Sequence, residues 1–233
     1  EALVNDAPLP VVQQAEDEIR MADEYLDERP DEIKSRLMRA VDYIEQEIDV
    51  GDGQPGKIVV FTHFPETHEK FLELLKMRHL QAVAFCQGMS VKELEESVYQ
   101  FQNDPQCKII VCDESGGEGR NFQNADWIIH LDLPWTANAI EQRIGRLDRL
   151  GRDEDHMVVH SVVLFAEETM ESQLFQVWDR GMGLFEESLS GMEIITGELN
   201  EAIAEAMADD LHNGLSHALD DIIEITEDAR DAV

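Results

Sequence analysis

Apolar residues recur at helical spacing over 31–48, DEIKSRLMRAVDYIEQEI, where Ile33, Leu37, Val41, Ile44 and Ile48 fall on one face. From Lys57 onward the pattern alternates between short β-branched runs and amphipathic stretches. KIVVFT (57–62) predicts a buried strand, PETHEKFLELLKMRH (65–79) a helix and QAVAFC (81–86) a second strand. Ser90 and Glu93 form an S-x-x-E capping box that opens the next helix. KIIVC (108–112), WIIHLD (127–132) and MVVHSVVLF (157–165) predict three more strands, the last two separated by a helix opened near Thr136 or Asn138. Strands separated by helices of this length imply an α/β fold with a parallel sheet covered on both faces. On such sheets ligands gather at the carboxyl ends of the strands.

After the last strand the pattern predicts a long helix, a glycine-marked bend and another amphipathic helix, through VWDRGMGLFEESLSGMEIITGELNEAIAEAM. Met182, Leu184 and Phe185 are read as packing residues. A final acidic helix, HALDDIIEITEDA (217–229), sets Leu219, Ile222, Ile223 and Ile225 among carboxylates and reads as a truncated element whose cover is gone, with a partner-binding or nucleic-acid-mimicking helix as the alternatives. The organisation is thus an acidic helical lead-in (1–30), an α/β domain (31–190) and an acidic helical extension (191–233).

Charge sharpens this division. The net charge is −33, and residues 1–32 carry eleven acids against two Arg while 198–233 carry eleven against one. Such a surface repels nucleic acid unless a local basic patch overrides it. Two accounts stay open: adaptation to a salty cytoplasm, or two acidic ends that bias the total. The chain has no apolar stretch of membrane-spanning length and no signal peptide, so a cytoplasmic protein without a membrane partner is expected. Cys86, Cys107 and Cys112 make an odd count without a C-x-x-C pair and read as reduced thiols. The histidines lack ligand spacing, and no metal site is expected.

GDGQPGKI (51–58) fits seven positions of the phosphate-loop pattern G-x-x-x-x-G-K-[ST], but Ile58 has no hydroxyl for Mg²⁺. A phosphate loop follows a strand and opens a helix. Here the order is reversed, so the glycines are expected to end a helix and turn into a strand. Any nucleotide must be handled by other residues.

EQRIGRLDRLGR (141–152) places Arg143, Arg146, Arg149 and Arg152 in ten residues of an acidic chain. On a helix Gln142, Arg146 and Arg149 would share a face, suited to donate to phosphate oxygens. Gly145 among the arginines suggests close approach by another backbone or a ligand. SGGEGRNFQ (115–123) offers exposed backbone N–H groups at a strand end, with Arg120 and Asn121 beside them.

GGEGRNFQNAD and DLPWTANAIEQRIGRLDRLGR together resemble motifs V and VI of superfamily 2 helicases, in the form used by Snf2-type ATPases and most like the bacterial RapA (HepA) branch. KIVVFTHF resembles motif IV. The resemblance covers roughly 31–190 and implies the second RecA-like domain of a two-domain motor. It further implies arginine fingers at Arg146 and Arg149, nucleotide contacts from Gln142, Arg143, Gly119 and Asn121, and a nucleic-acid track along Thr62, Gly88, Ser115 and Gly116. ATP and Mg²⁺ would be held mainly by an N-terminal RecA-like domain of the parent chain. No second phosphate loop or Asp-Glu motif is present, and the chain starts at Glu1, so it is read as an excised half-motor, inactive alone. Double-stranded DNA, and RNA polymerase or another nucleoprotein, are the partners this family implies.

Two positions depart from the family pattern. Motif VI ends Gly151-Arg152 in place of Gly-Gln, and Asp113 stands where a phosphate-binding hydroxyl is usual. A DEAD-box-like RNA helicase domain is the nearer alternative, although Gln142 replaces the His preferred there. A non-enzymatic acidic adaptor of RecA-like shape is the other.

Overall fold

The computed structural model describes residues 35–48, 56–113, 122–147, 158–186, 196–210 and 213–231. The expected lead-in, 1–30, lies outside them. Two compact units are present, Ser35–Phe165 and a second whose described part begins at Ala166.

In the first unit α1 (Arg36–Tyr43) starts at Ser35, whose hydroxyl accepts the Met38 amide, and continues as a π-helical turn, Ile44–Ile48. Then follow β1 (Lys57–Phe61), α2 (Pro65–Met77), β2 (Ala82–Phe85), α3 (Val91–Asn103), β3 (Ile109–Cys112), β4 (Ala125–His130), α4 (Ala137–Ile144) and β5 (His160–Val163). The Ser90–Glu93 capping box closes in both directions at the start of α3. All five strands are parallel, in the order β2-β3-β1-β4-β5.

Strand alternation divides the core. Ile58, Val60, Ile109, Val111 and Ile129 pack with Ala40, Val41, Phe71 and Leu75 of α1 and α2. On the opposite face Val59, Phe61, Phe85, Ile110 and Ile128 pack with Phe101 of α3 and with Phe122 and Leu147. Phe122 meets Phe85 and Phe101 edge to face, at 6.2 and 5.9 Å between ring centroids. The glycine-bearing segment is therefore anchored in the second core by Phe122, and the arginine-bearing segment by Leu147 with Ile144 packed against it.

At the amino end of the sheet, the ammonium of Lys57 donates to the carbonyls of Phe101, Asp104 (3.0 Å) and Cys107 (3.1 Å). These carbonyls end α3 and follow it, where the negative end of the helix dipole favours a cation. Burial lowers the pKa of this lysine. Gly56 has a comparable local reason, since a Cβ there would lie 2.3 Å from Oδ2 of Asp126. The Gly-Lys pair that imitates a phosphate loop thus does structural work, and Lys57 opens a strand as expected.

In the second unit α5 (Met170–Gln176) runs into a π-helical turn, Val177–Gly181, and is followed by α6 (Thr196–Asp209) and α7 (Gly214–Asp231). Within this unit α5 and its π-turn pack against α7. In the acidic helix α7, Leu215 and Ile222 are buried, and Gly181 lies against Ile222. Met182 and Leu184 are buried, and Phe185 stacks on Phe175.

Candidate functional site

Main-chain bonds carry the sheet's alignment one residue past its strands. Asp113 N–H donates to Phe85 O, Thr62 to Cys112 O, Leu131 to Phe61 O and Leu164 to His130 O, at 3.0 to 3.2 Å. The segments after all five strands therefore share one carboxyl edge. There Asp113 takes the Gln87 amide on Oδ2 at 2.8 Å, fixing the turn that contains Gly88. Gly88 has φ +92° with open space where a Cβ would stand, a conformation that favours glycine. Asp113 thus has a structural partner in place of the hydroxyl role that the family pattern assigns to its position.

Between β1 and β4 the edge is tied by one carboxylate. Oδ2 of Asp132 accepts the Thr62 hydroxyl at 2.5 Å, and both its oxygens accept the His63 amide at 3.0 Å. Arg143 reaches the same residue, with NH1 donating to the Asp132 carbonyl at 2.8 Å and NH2 lying 3.4 Å from Oδ1. The Arg143 guanidinium also covers the Phe61 ring at 5.4 Å. Beside it His130 is fully buried, and burial together with the Arg143 charge holds its pKa down to about 3. This imidazole is neutral at physiological pH.

Arg143 is only 2% exposed, with its guanidinium directed at Asp132. Thr62 is 0% exposed, and its hydroxyl donates to Asp132. The neighbouring His63 and Phe64 are exposed instead, Phe64 by 55%.

The arginine segment is also shaped differently from a continuous helix. α4 ends at Ile144, and 145–147 form a tight turn in which Arg146 N–H donates to Arg143 O and Leu147 N–H to Ile144 O. A Cβ on Gly145 would stand 3.0 Å from the Glu141 carbonyl of its own helical turn. The close backbone approach falls one residue on, where the Phe122 amide donates to the Arg146 carbonyl at 2.9 Å. Gln142 is exposed and Arg146 half-buried. Arg149, Ser115, Gly116, Gly119 and Asn121 lie outside the described residues.

Asp132, His63 and His130 escaped the sequence reading. A Thr closing one strand and an Asp closing its neighbour were the available signal, but strand adjacency is a property of the fold.

The fold, with these paired segments on its carboxyl edge, defines a helicase-type RecA-like domain, and residues 39–151 match the helicase conserved C-terminal domain. The RNA polymerase-associated protein RapA of Vibrio parahaemolyticus is 32% identical over 170 residues, 72% of this chain and 17% of that protein. The Sulfolobus solfataricus SWI2/SNF2 ATPase core in complex with dsDNA matches with a TM-score of 0.52 at 25% identity, over 74% of this chain and 35% of that one. The C-terminal part of the Fun30 ATPase domain gives 0.54 at 19% identity, over 72% and 54% of the two chains, and bears on the fold alone. The chain carries a helicase conserved C-terminal domain over residues 39–151, and its relatives place that domain among the Snf2-type superfamily 2 helicases. It spans a small part of the length of the RapA relative. Among the described residues no helix is long and apolar enough to cross a membrane.

Proposed function

We propose that this chain is the arginine-supplying half of a RapA-like, nucleic-acid-dependent ATPase that moves along double-stranded DNA or displaces proteins from it. ATP and Mg²⁺ would be held mainly by an N-terminal RecA-like domain of the same parent chain, and bound ATP supplies the phosphoryl group that is transferred to water. Arg146 and Arg149 are the residues assigned to stabilise charge on that group, with Gln142 beside them and Gly119 and Asn121 toward the ribose. Arg143 is reassigned from nucleotide contact to holding this segment in place.

The observation that carries the reading is the anchoring of Arg146: its backbone is fixed to Phe122 on the carboxyl edge, while its side chain remains partly exposed. A preorganised cation at the ligand-binding edge fits a polyanionic nucleotide. Gly88, and Ser115 with Gly116, are assigned to the nucleic-acid track, with His63 and Phe64 taking the place given to Thr62. RNA polymerase is a candidate client because the Vibrio parahaemolyticus relative is named for that association. A cytoplasmic location follows from the same reading.

The test is ATP turnover by the full-length parent with duplex DNA, with RNA and with neither. Stimulation by duplex DNA is expected. Stimulation by RNA alone would move the chain to the RNA-helicase reading, and no turnover in any condition would favour an acidic adaptor.

A further inference from the structure

We infer that Asp132 is a positioning residue that fixes the nucleic-acid-facing loop before α2 to the arginine segment, with Thr62 as its essential partner. The inference rests on the motor reading above and concerns how its two sites are joined. Asp132 is 4% exposed, and its carboxylate receives the Thr62 hydroxyl, the His63 amide and the Arg143 guanidinium. A carboxylate, with two accepting oxygens, is the side chain that suits three converging donors. The Phe64 amide donates to Thr62 Oγ1 at 3.2 Å, so the chain from Thr62 to the start of α2 hangs from this one group.

On the other side Arg143 belongs to the last turn of α4, and the Arg146 amide donates to its carbonyl at 3.4 Å. His63 and Phe64 are exposed where Thr62 is not. Polymer contact therefore falls on His63 and Phe64, and displacement of their loop is resisted by the carboxylate that also holds Arg143. A buried ion pair of this kind is a weak source of net stability compared with apolar packing. Its effect is to set the relative position of two segments.

Thr62→Val and Thr62→Ser in the full-length parent test this, with ATP turnover measured against duplex DNA concentration. Val keeps the shape and removes the donor; Ser restores it. The expected result for Thr62→Val is a roughly tenfold lower maximal DNA-stimulated turnover, with half-saturating DNA and ATP affinity within about twofold of wild type and rescue by Ser. Asp132→Asn, read in the same assay, gives the same pattern and serves if the Val variant does not fold.

A rise in half-saturating DNA at unchanged maximal turnover would mean direct DNA contact by Thr62 and overturn the inference. So would wild-type behaviour of Thr62→Val, or a loss that Ser does not rescue. A wild-type parent without DNA-stimulated turnover would overturn the motor reading itself, and this inference with it.

Discussion

The amide of Phe122 donates to the carbonyl of Arg146 at 2.9 Å, joining the end of the glycine-rich segment to the middle of the arginine segment. The Phe122 ring is buried between Phe85 and Phe101, so the bond is anchored in the core rather than in a loop. Phe122→Ala should cost about 3–5 kcal/mol, as removal of a buried aromatic does. Urea unfolding of this chain measures it, and a cost below ~1 kcal/mol would show that the ring is dispensable to the anchor.

Asp132 should be much less tolerant of Ala than of Asn. Removing one partner of a buried ion pair leaves the other charge uncompensated, at about 3–5 kcal/mol. Both changes leave Arg143 uncompensated, and Ala also leaves the Thr62 hydroxyl and the His63 amide without an acceptor, so Asp132→Ala lowers the unfolding midpoint more than Asn, which keeps a carbonyl acceptor for one of them.

His130 predicts an acid-sensitive step. Its folded pKa of about 3 lies below the ordinary value of 6.5, so the unfolded state binds the proton more readily. The stability contributed by the neutral ring is complete above pH 6.5 and is lost as pH falls toward 3, with a slope of up to ~1.4 kcal/mol per pH unit. His130→Asn should remove that share of the slope, seen as a flatter stability profile than wild type between these limits.

Lys57 should matter for stability and not for nucleotide. Its ammonium meets three carbonyls at the end of α3, and Lys57→Met should cost on the order of 1–2 kcal/mol. ATP affinity of the full-length parent, measured by equilibrium binding, should be unchanged. A tenfold loss would restore the phosphate-loop interpretation of GDGQPGKI.

The parallel sheet was legible because each strand is a short apolar run between amphipathic helices, and the capping box at Ser90 closed as the spacing implied. Less legible was anything that depends on strand order. β1 and β4 lie far apart in sequence but adjacent in the sheet, so Thr62 and Asp132 meet only in the fold. The arginine run misled in part because helical spacing assumes that the helix continues. It ends at Ile144, and Arg143 points into the core while Arg146 leaves on a turn.

Arg146 is proposed to act on a nucleotide bound by another domain. Steady-state ATP turnover by the full-length parent carrying Arg146→Ala, with ATP binding measured in parallel, should fall by about 10³ to 10⁵ while ATP affinity is nearly retained. Turnover within a few-fold of wild type would contradict it.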